Sequence, residues 1–139
     1  MTYCTLDDLV LTFGADELIE LTDKADPPTG EIDAARVAGA ISEAAAEINT
    51  YLVARYSLPL ASTPSVLRRV ALDLARYHLY MDIQEKHAAA IRYASQVKLL
   101  RGIADGKLSL GLDDSGTVAK TGDTVQVSQG RNDFGGGNW

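Results

Sequence analysis

His78, Asp82 and Glu85 stand four and three residues apart, a spacing that sets three metal-ligating side chains on one face of a helix. His87 follows His78 by nine residues, half a turn away on an ideal helix, so the two histidines diverge unless the helix breaks between them. One imidazole with two carboxylates is thin support for a metal. A satisfied or exposed histidine is the simpler reading. Cys4 has no basic partner nearby in sequence to make it a thiolate, and no nucleophile elbow surrounds any serine. It reads as a small apolar side chain near the start of the first helix.

Two glycine-bearing stretches invite ligand readings and fail them. "DDSGTVAKTGDT" has a calcium-loop flavour, but Gly116 comes fourth where the sixth position needs it. Thr124 stands where a bidentate Glu belongs. "FGGGN" has no strand before it and no helix after it, so it is no phosphate loop. No constellation in the chain reads as catalytic. The expectation is a protein that is not an enzyme and takes no metal or cofactor.

The residue supply points to helices. The chain has 139 residues, 46% hydrophobic and 23% charged, enough for one globular domain. Its formal net charge of −6 is the wrong sign for a protein that grips phosphates. A single cysteine leaves the fold without internal disulfides, as expected in the cytosol. "MTYCTLDDLV" has no basic n-region and no apolar run, and nothing approaches the ~18 apolar residues of a membrane helix. A soluble intracellular protein is expected.

The pattern predicts about five helices in a compact all-α bundle around one long central helix. Thr5 is placed to cap a first short helix with Asp7 and Asp8 in its first turn, and Gly14 to stop it. "ADELIELTD" gives a second helix, and Pro27, Pro28 and Gly30 a loop. Val37, Ile41, Ala44, Ile48 and Leu52 mark one face of the long helix, from about Asp33 to Arg55 and ~33 Å in length. Its many alanines let neighbours come close. Pro59 keeps Leu58 extended, and Ser62 or Thr63 then caps a fourth helix with Pro64 at its first position, running to about Met81. Leu67, Val70, Ala71, Leu74, His78 and Met81 form its expected inner stripe. Arg68, Arg69, Asp73 and Arg76 form its polar face. A fifth helix is expected from about Glu85 to Ala104, buried along Ala90, Ile91, Ala94, Val97 and Leu100.

Residues 1–107 thus read as a helical domain and 108–139 as an extended C-terminal arm. The arm is rich in Gly, Ser, Thr and Asp. It alternates at Leu108, Leu110 and Leu112, and again at Val125 and Val127, a pattern that suits short β-strands. Such a segment is either a solvated tail or one that waits for a partner. Laid along another protein's sheet edge, Val125 and Val127 would be buried by β-augmentation. Phe134 and Trp139 flank a triple-glycine tether, where an aromatic suits an anchoring role. Charge is also segregated. Residues 1–30 carry seven acidic side chains and one basic, whereas residues 61–107 carry eight basic and four acidic. This is either a solvated surface or a head-to-tail complement between identical subunits, with Arg68 and Arg69 at the basic end.

"EINTYLVARYSLPL" raises a separate question, because a long helix runs straight into an apolar elbow. Tyr51, Tyr56, Leu58 and Leu60 suit a hydrophobic corner that caps the helix and aims the next one. Arg55 and Tyr56 also suit a reach toward a neighbouring subunit. This stretch, from Ala44, resembles the Mu-like phage head–tail connector family, with its acidic residue, Ile, Tyr-Leu, Arg-Tyr and Leu-Pro-Leu. "YCTLDDL" (Tyr3 to Leu9), "FGADELIELTD" (Phe13 to Asp23) and "LRRVALDLARYHL" are similar to that family in the same order.

The resemblance implies a structural virion protein. It would be made in the cytoplasm of a host bacterium and built into the head–tail neck. Related connectors are helical bundles that form rings, commonly dodecamers, under the portal, with C-terminal arms that engage it. The implied partners are other copies of the chain, the portal protein and a tail-side neck or tail terminator protein. DNA would pass through the channel without specific binding, which an acidic protein suits. The competing reading is a small helical DNA-binding or regulatory phage protein.

Overall fold

A computed structural model describes residues 2–112. Five helices follow one another: α1 (Leu6–Phe13), α2 (Ala15–Thr22), α3 (Ala34–Leu52), α4 (Ser65–Leu79) and α5 (Ala88–Ala104). No strand forms among the described residues. Val125 and Val127, the expected strand residues, lie outside them.

Local chemistry explains the first two helices. The Thr5 side chain accepts from the Asp8 N–H at 3.2 Å while the Asp8 carboxylate accepts from the Thr5 N–H at 3.0 Å, a reciprocal capping box. Gly14, at φ 93°, ends α1 and starts α2 at one residue, a conformation that a side chain would strain. Buried Thr22 then joins α2 to α3. Its hydroxyl donates to the Leu18 carbonyl at 2.7 Å and accepts from the Asp33 N–H at 2.9 Å. The Asp33 side chain in turn caps α3. Between these helices the Asp23 carboxylate gathers the N–H groups of Thr29 and Gly30 and the Thr29 hydroxyl. Those bonds, led by Gly30, hold its pKa below the usual carboxylate value.

The core forms where α3 meets α4. Val37, Ile41, Ala44, Ile48 and Leu52 of α3 are buried, and so are Leu67, Val70, Ala71, Leu74 and Ala75 of α4. Burial is densest on α4, eight of whose fifteen residues are buried, against seven of nineteen on α3. Helices α1, α3 and α5 all pack on α4, while Ala35, Ala38, Gly39 and Ser42 leave one side of α3 exposed.

Several expectations need correction. Helix α3 ends at Leu52, three residues before Arg55, because the Arg55 and Tyr56 N–H groups both turn back to the Leu52 carbonyl. Helix α4 starts at Ser65 with Pro64 as its cap residue and no side-chain cap from Ser62 or Thr63. It stops at Leu79, which leaves Met81 83% exposed, not in the inner stripe. Asp73, expected on the polar face, is fully buried. Helix α5 begins at Ala88, and its inward residues are Ala89, Tyr93, Gln96, Leu100 and Ile103. Ile91 and Ala94 face solvent. No helix among the described residues is long and apolar enough to cross a membrane.

Ile48 has no exposed surface. Ile48→Ala is expected to cost about 2–5 kcal/mol and to lower the melting temperature by about 10 °C or more, measured by circular dichroism. Cys4 is buried, and burial first, then the Asp8 charge, pushes its thiol up from 9.0 to about 11. It should resist Ellman's reagent at pH 8 until the protein unfolds. A pKa raised by folding gives a stabilisation that is complete below pH 9 and lost as the pH rises through about 11, so alkaline titration should lower the melting temperature in that window.

Candidate functional site

The elbow after α3 is the most heavily connected of the sequence-predicted sites. With α3 closed at Leu52, the Arg55 guanidinium donates from Nη1 to the Ile103 carbonyl at 3.2 Å and to the Leu108 carbonyl at 3.1 Å. A cation at the last turn of α5 complements the negative end of that helix. Tyr56 is buried, and its hydroxyl accepts from the Leu110 N–H at 3.2 Å. Leu60 is buried, Tyr51 and Leu58 are half-buried against the core, and the Leu58–Pro59 peptide is cis. Arg55 and Tyr56 are therefore engaged within their own chain, where they hold residues 103–110 against the helical body. Leu110 packs on the core and Leu112 is buried, so the start of the expected arm is fixed to the bundle.

The end of α5 is shaped to meet that elbow. The Gly106 N–H bonds to the Ile103 carbonyl and the Lys107 N–H to the Gly102 carbonyl, with Gly106 at φ 82°, which makes a Schellman turn. A Cβ on Gly102 would sit 2.9 Å from the Leu108 side chain, so the missing side chain is what lets Leu108 lie there.

The two arginines predicted for an interface have different surroundings. Arg68 is exposed. Arg69 lies 3.5 Å from the buried Asp73 carboxylate, which also accepts from Gln96 Nε2 at 2.6 Å. Arg92 approaches the other Asp73 oxygen at 3.9 Å, and that oxygen has no hydrogen bond. Arg69 thus compensates a buried charge between α4 and α5 and is not a spare surface cation.

Two further polar clusters tie the helices together. Arg76 grips Glu17 through two hydrogen bonds, 2.6 and 3.2 Å, and lies over the Phe13 ring at 4.6 Å. Tyr80 donates to the same carboxylate. Burial opposes the Arg76 charge, but the Glu17 carboxylate outweighs it, so its pKa is raised. One acidic residue of the N-terminal block is therefore neutralised inside the chain by a basic residue of the second block.

Glu47 of α3 meets His78 Nε2 at 2.9 Å and accepts from the Tyr93 hydroxyl at 2.6 Å, and Tyr93 stacks on Tyr77 at 3.9 Å. Burial first, and the Glu47 hydrogen bond second, raise the Tyr93 pKa, which keeps the phenol protonated as a donor. A carboxylate, an imidazole and a phenol in contact could move a proton, but no nucleophile lies among them. Their geometry locks α3, α4 and α5 together.

The shared helical face of His78, Asp82 and Glu85 does not form, because α4 ends at Leu79, and His78 is a satisfied histidine against Glu47. His87 instead caps α5, its Nδ1 accepting from the Ala89 N–H. No group of metal-ligating side chains occurs among the described residues. The Glu47 contacts to His78 and Tyr93 and the Gln96 bond to Asp73 were invisible to sequence reasoning, since those partners lie 23 to 46 residues apart. The one available signal was Asp73 itself, a lone acid within the apolar run "VALDLA". Val125, Val127, Phe134 and Trp139 lie outside the described residues.

Residues 3–129 match the family described as Bacteriophage Mu, Gp36. The chain is 36% identical over 105 residues to the Mu-like prophage FluMu protein gp36 of Haemophilus influenzae, covering 75% of this chain and 74% of that protein. It is 32% identical over 128 residues to Gene product J of Escherichia phage Mu, covering 91% and 89%.

The different surroundings of the two arginines give a paired test. Arg69→Glu sets a second negative charge beside buried Asp73 and is expected to cost about 1–3 kcal/mol. Arg68→Glu should stay within about 0.5 kcal/mol of the parent. Urea unfolding of both variants checks this. Equal costs would mean that Arg69 does not compensate Asp73.

Proposed function

The chain belongs to the Bacteriophage Mu Gp36 family, and from that premise we propose that it is a structural component of the virion. In this reading it is a head–tail connector, a ring of identical subunits, dodecameric by resemblance, that sits under the portal and leaves a channel for DNA. It acts by binding, not catalysis, and takes no cofactor. The portal binds on one side and a tail-side neck or terminator protein on the other. It is made in the host cytoplasm and ends in the neck of the particle.

The observation that carries the reading is the tether at the elbow. Arg55 and Tyr56 hold residues 108–110 on the helical body, and Leu112 is buried there. The chain therefore leaves the body from a fixed point. A fixed origin cuts the entropy lost when the following segment meets a partner. The net charge of −6 supports a channel wall that does not retain DNA.

The tether also sets where a truncation should fall. Deleting residues 108–139 would remove Leu110 and Leu112 from the core, whereas deleting 113–139 spares them. The shorter deletion is expected to melt like the full chain and to lose portal binding in a pull-down. Undiminished binding would place the joint on the helical body.

A further inference from the structure

Helix α5 turns an apolar and basic side outward. Ile91 is 55% exposed, and Ala94, Ser95, Lys98 and Arg101 are exposed with it. Beside them, between α5 and residues 105–108, lies a groove of about 540 Å³. Leu99, Gly102 and Leu108 give it an apolar floor. Lys98, Arg101 and Lys107 line its rim, against the single acid Asp105. None of these three cations forms an ion pair among the described residues.

Helix α1 carries the opposite features. Leu11 is 85% exposed, the most open large hydrophobic residue among those described. Asp7 lies one turn before it on the same face, and α2 adds exposed Asp16 and Glu20. Within one chain α1 packs on α2, α3 and α4, so its outer face stays away from the groove.

We propose that α1 of a second copy seats in this groove, with Leu11 on the Leu99–Leu108 floor and Asp7 facing Lys98 and Arg101. Sign and polarity match: an acidic helix with one open leucine meets an apolar slot with a cationic rim. The contact is heterologous, since each copy offers two different patches, and such contacts propagate until they close. The inference rests on the ring reading above and names its subunit contact.

The full-length chain serves as the probe, with self-association followed by sedimentation velocity with and without portal. Lys98→Glu with Arg101→Glu is expected to weaken association at least tenfold while the melting temperature holds. Adding Asp7→Lys should restore it. Raised salt should also weaken the contact, because exposed charges are screened over about 8–10 Å. In an oxidative cross-link, a chain carrying both Thr12→Cys and Ser95→Cys should give a ladder of multimers. A mixture of the two single variants should stop at dimers.

Five results would overturn the assignment. Rings that form without a ladder and ignore the charge reversals leave the ring reading intact but move its contact elsewhere. Self-cross-linking of either single variant means an isologous pair. Ser95→Cys that is protected in the monomer and labelled freely only after residues 113–139 are deleted gives the groove to the chain's own C-terminal segment. Protection on adding portal with no ladder of multimers gives it to that partner. A chain that never assembles, with portal or without, sinks the ring reading and this contact with it.

Discussion

Close approach of α3 and α4 is the constraint on which the other contacts depend. Ala40, Ala44 and Ala45 on one helix and Ala71 and Ala75 on the other are buried, with Ile48, Leu67 and Leu74 filling the space beside them. Small side chains at the crossing bring the backbones together, and the larger ones interdigitate around it. The separation of these two helices decides whether Glu47 can reach His78 on the neighbouring helix. Larger residues at the alanine positions would part the helices and take that contact out of range.

Around this pair the N-terminal residues, α2 and α5 are each held by a few polar bonds set within apolar contact. The buried Tyr3 hydroxyl donates to Asn49 and fixes the N-terminal residues to α3. Glu17 and Arg76 fix α2 to α4, Glu47 and Tyr93 fix α3 to α5, and Gln96 with Asp73 fixes α5 to α4. Neutral hydrogen bonds of this kind contribute about 1 kcal/mol net, and more when one partner is charged. Their larger effect is geometric, because they choose one register among the many that greasy faces would tolerate. Most of the charge in these pins is spent inside the chain. Of the exposed cations without an ion pair among the described residues, Lys98 and Arg101 lie on α5 and Arg68 on α4, while Lys24, Lys86 and Lys107 lie between or after helices.

The five helices could be read from the sequence because their signals are local. Thr5, Gly14 and Asp33 mark helix ends through bonds to neighbours within four residues. The apolar stripe of α3 was equally plain, since its buried residues step by three and four. On helix α5 the same method finds Leu100, which is buried, but misses most of the inward face. Counting aliphatic residues favours Ile91, Ala94 and Val97. The positions that face the core include Tyr93 and Gln96, whose polar tips find Glu47 and Asp73. A periodicity rule scores those residues as surface, although a satisfied polar tip makes their burial cheap. The candidate site divides in the same way. The elbow was recognisable as a hard apolar stop, but its partner, the end of α5, lies about fifty residues on and left no mark in the elbow's own residues.

The Arg55 tether also has a mechanical meaning. Tension applied to the chain beyond Leu112 does not first reach the last turn of α5. It reaches residues 108–110, where the Arg55 guanidinium and the Tyr56 hydroxyl transfer it sideways to the end of α3. The pull then divides between α5, through the backbone, and the α3–α4 pair, through the elbow. A helix pulled from its end unzips one hydrogen bond at a time, whereas two elements pulled together must shear at once. By adding a second load path beside the backbone, the Arg55 and Tyr56 bonds raise the force the fold withstands from that direction by more than their share of its equilibrium stability would suggest.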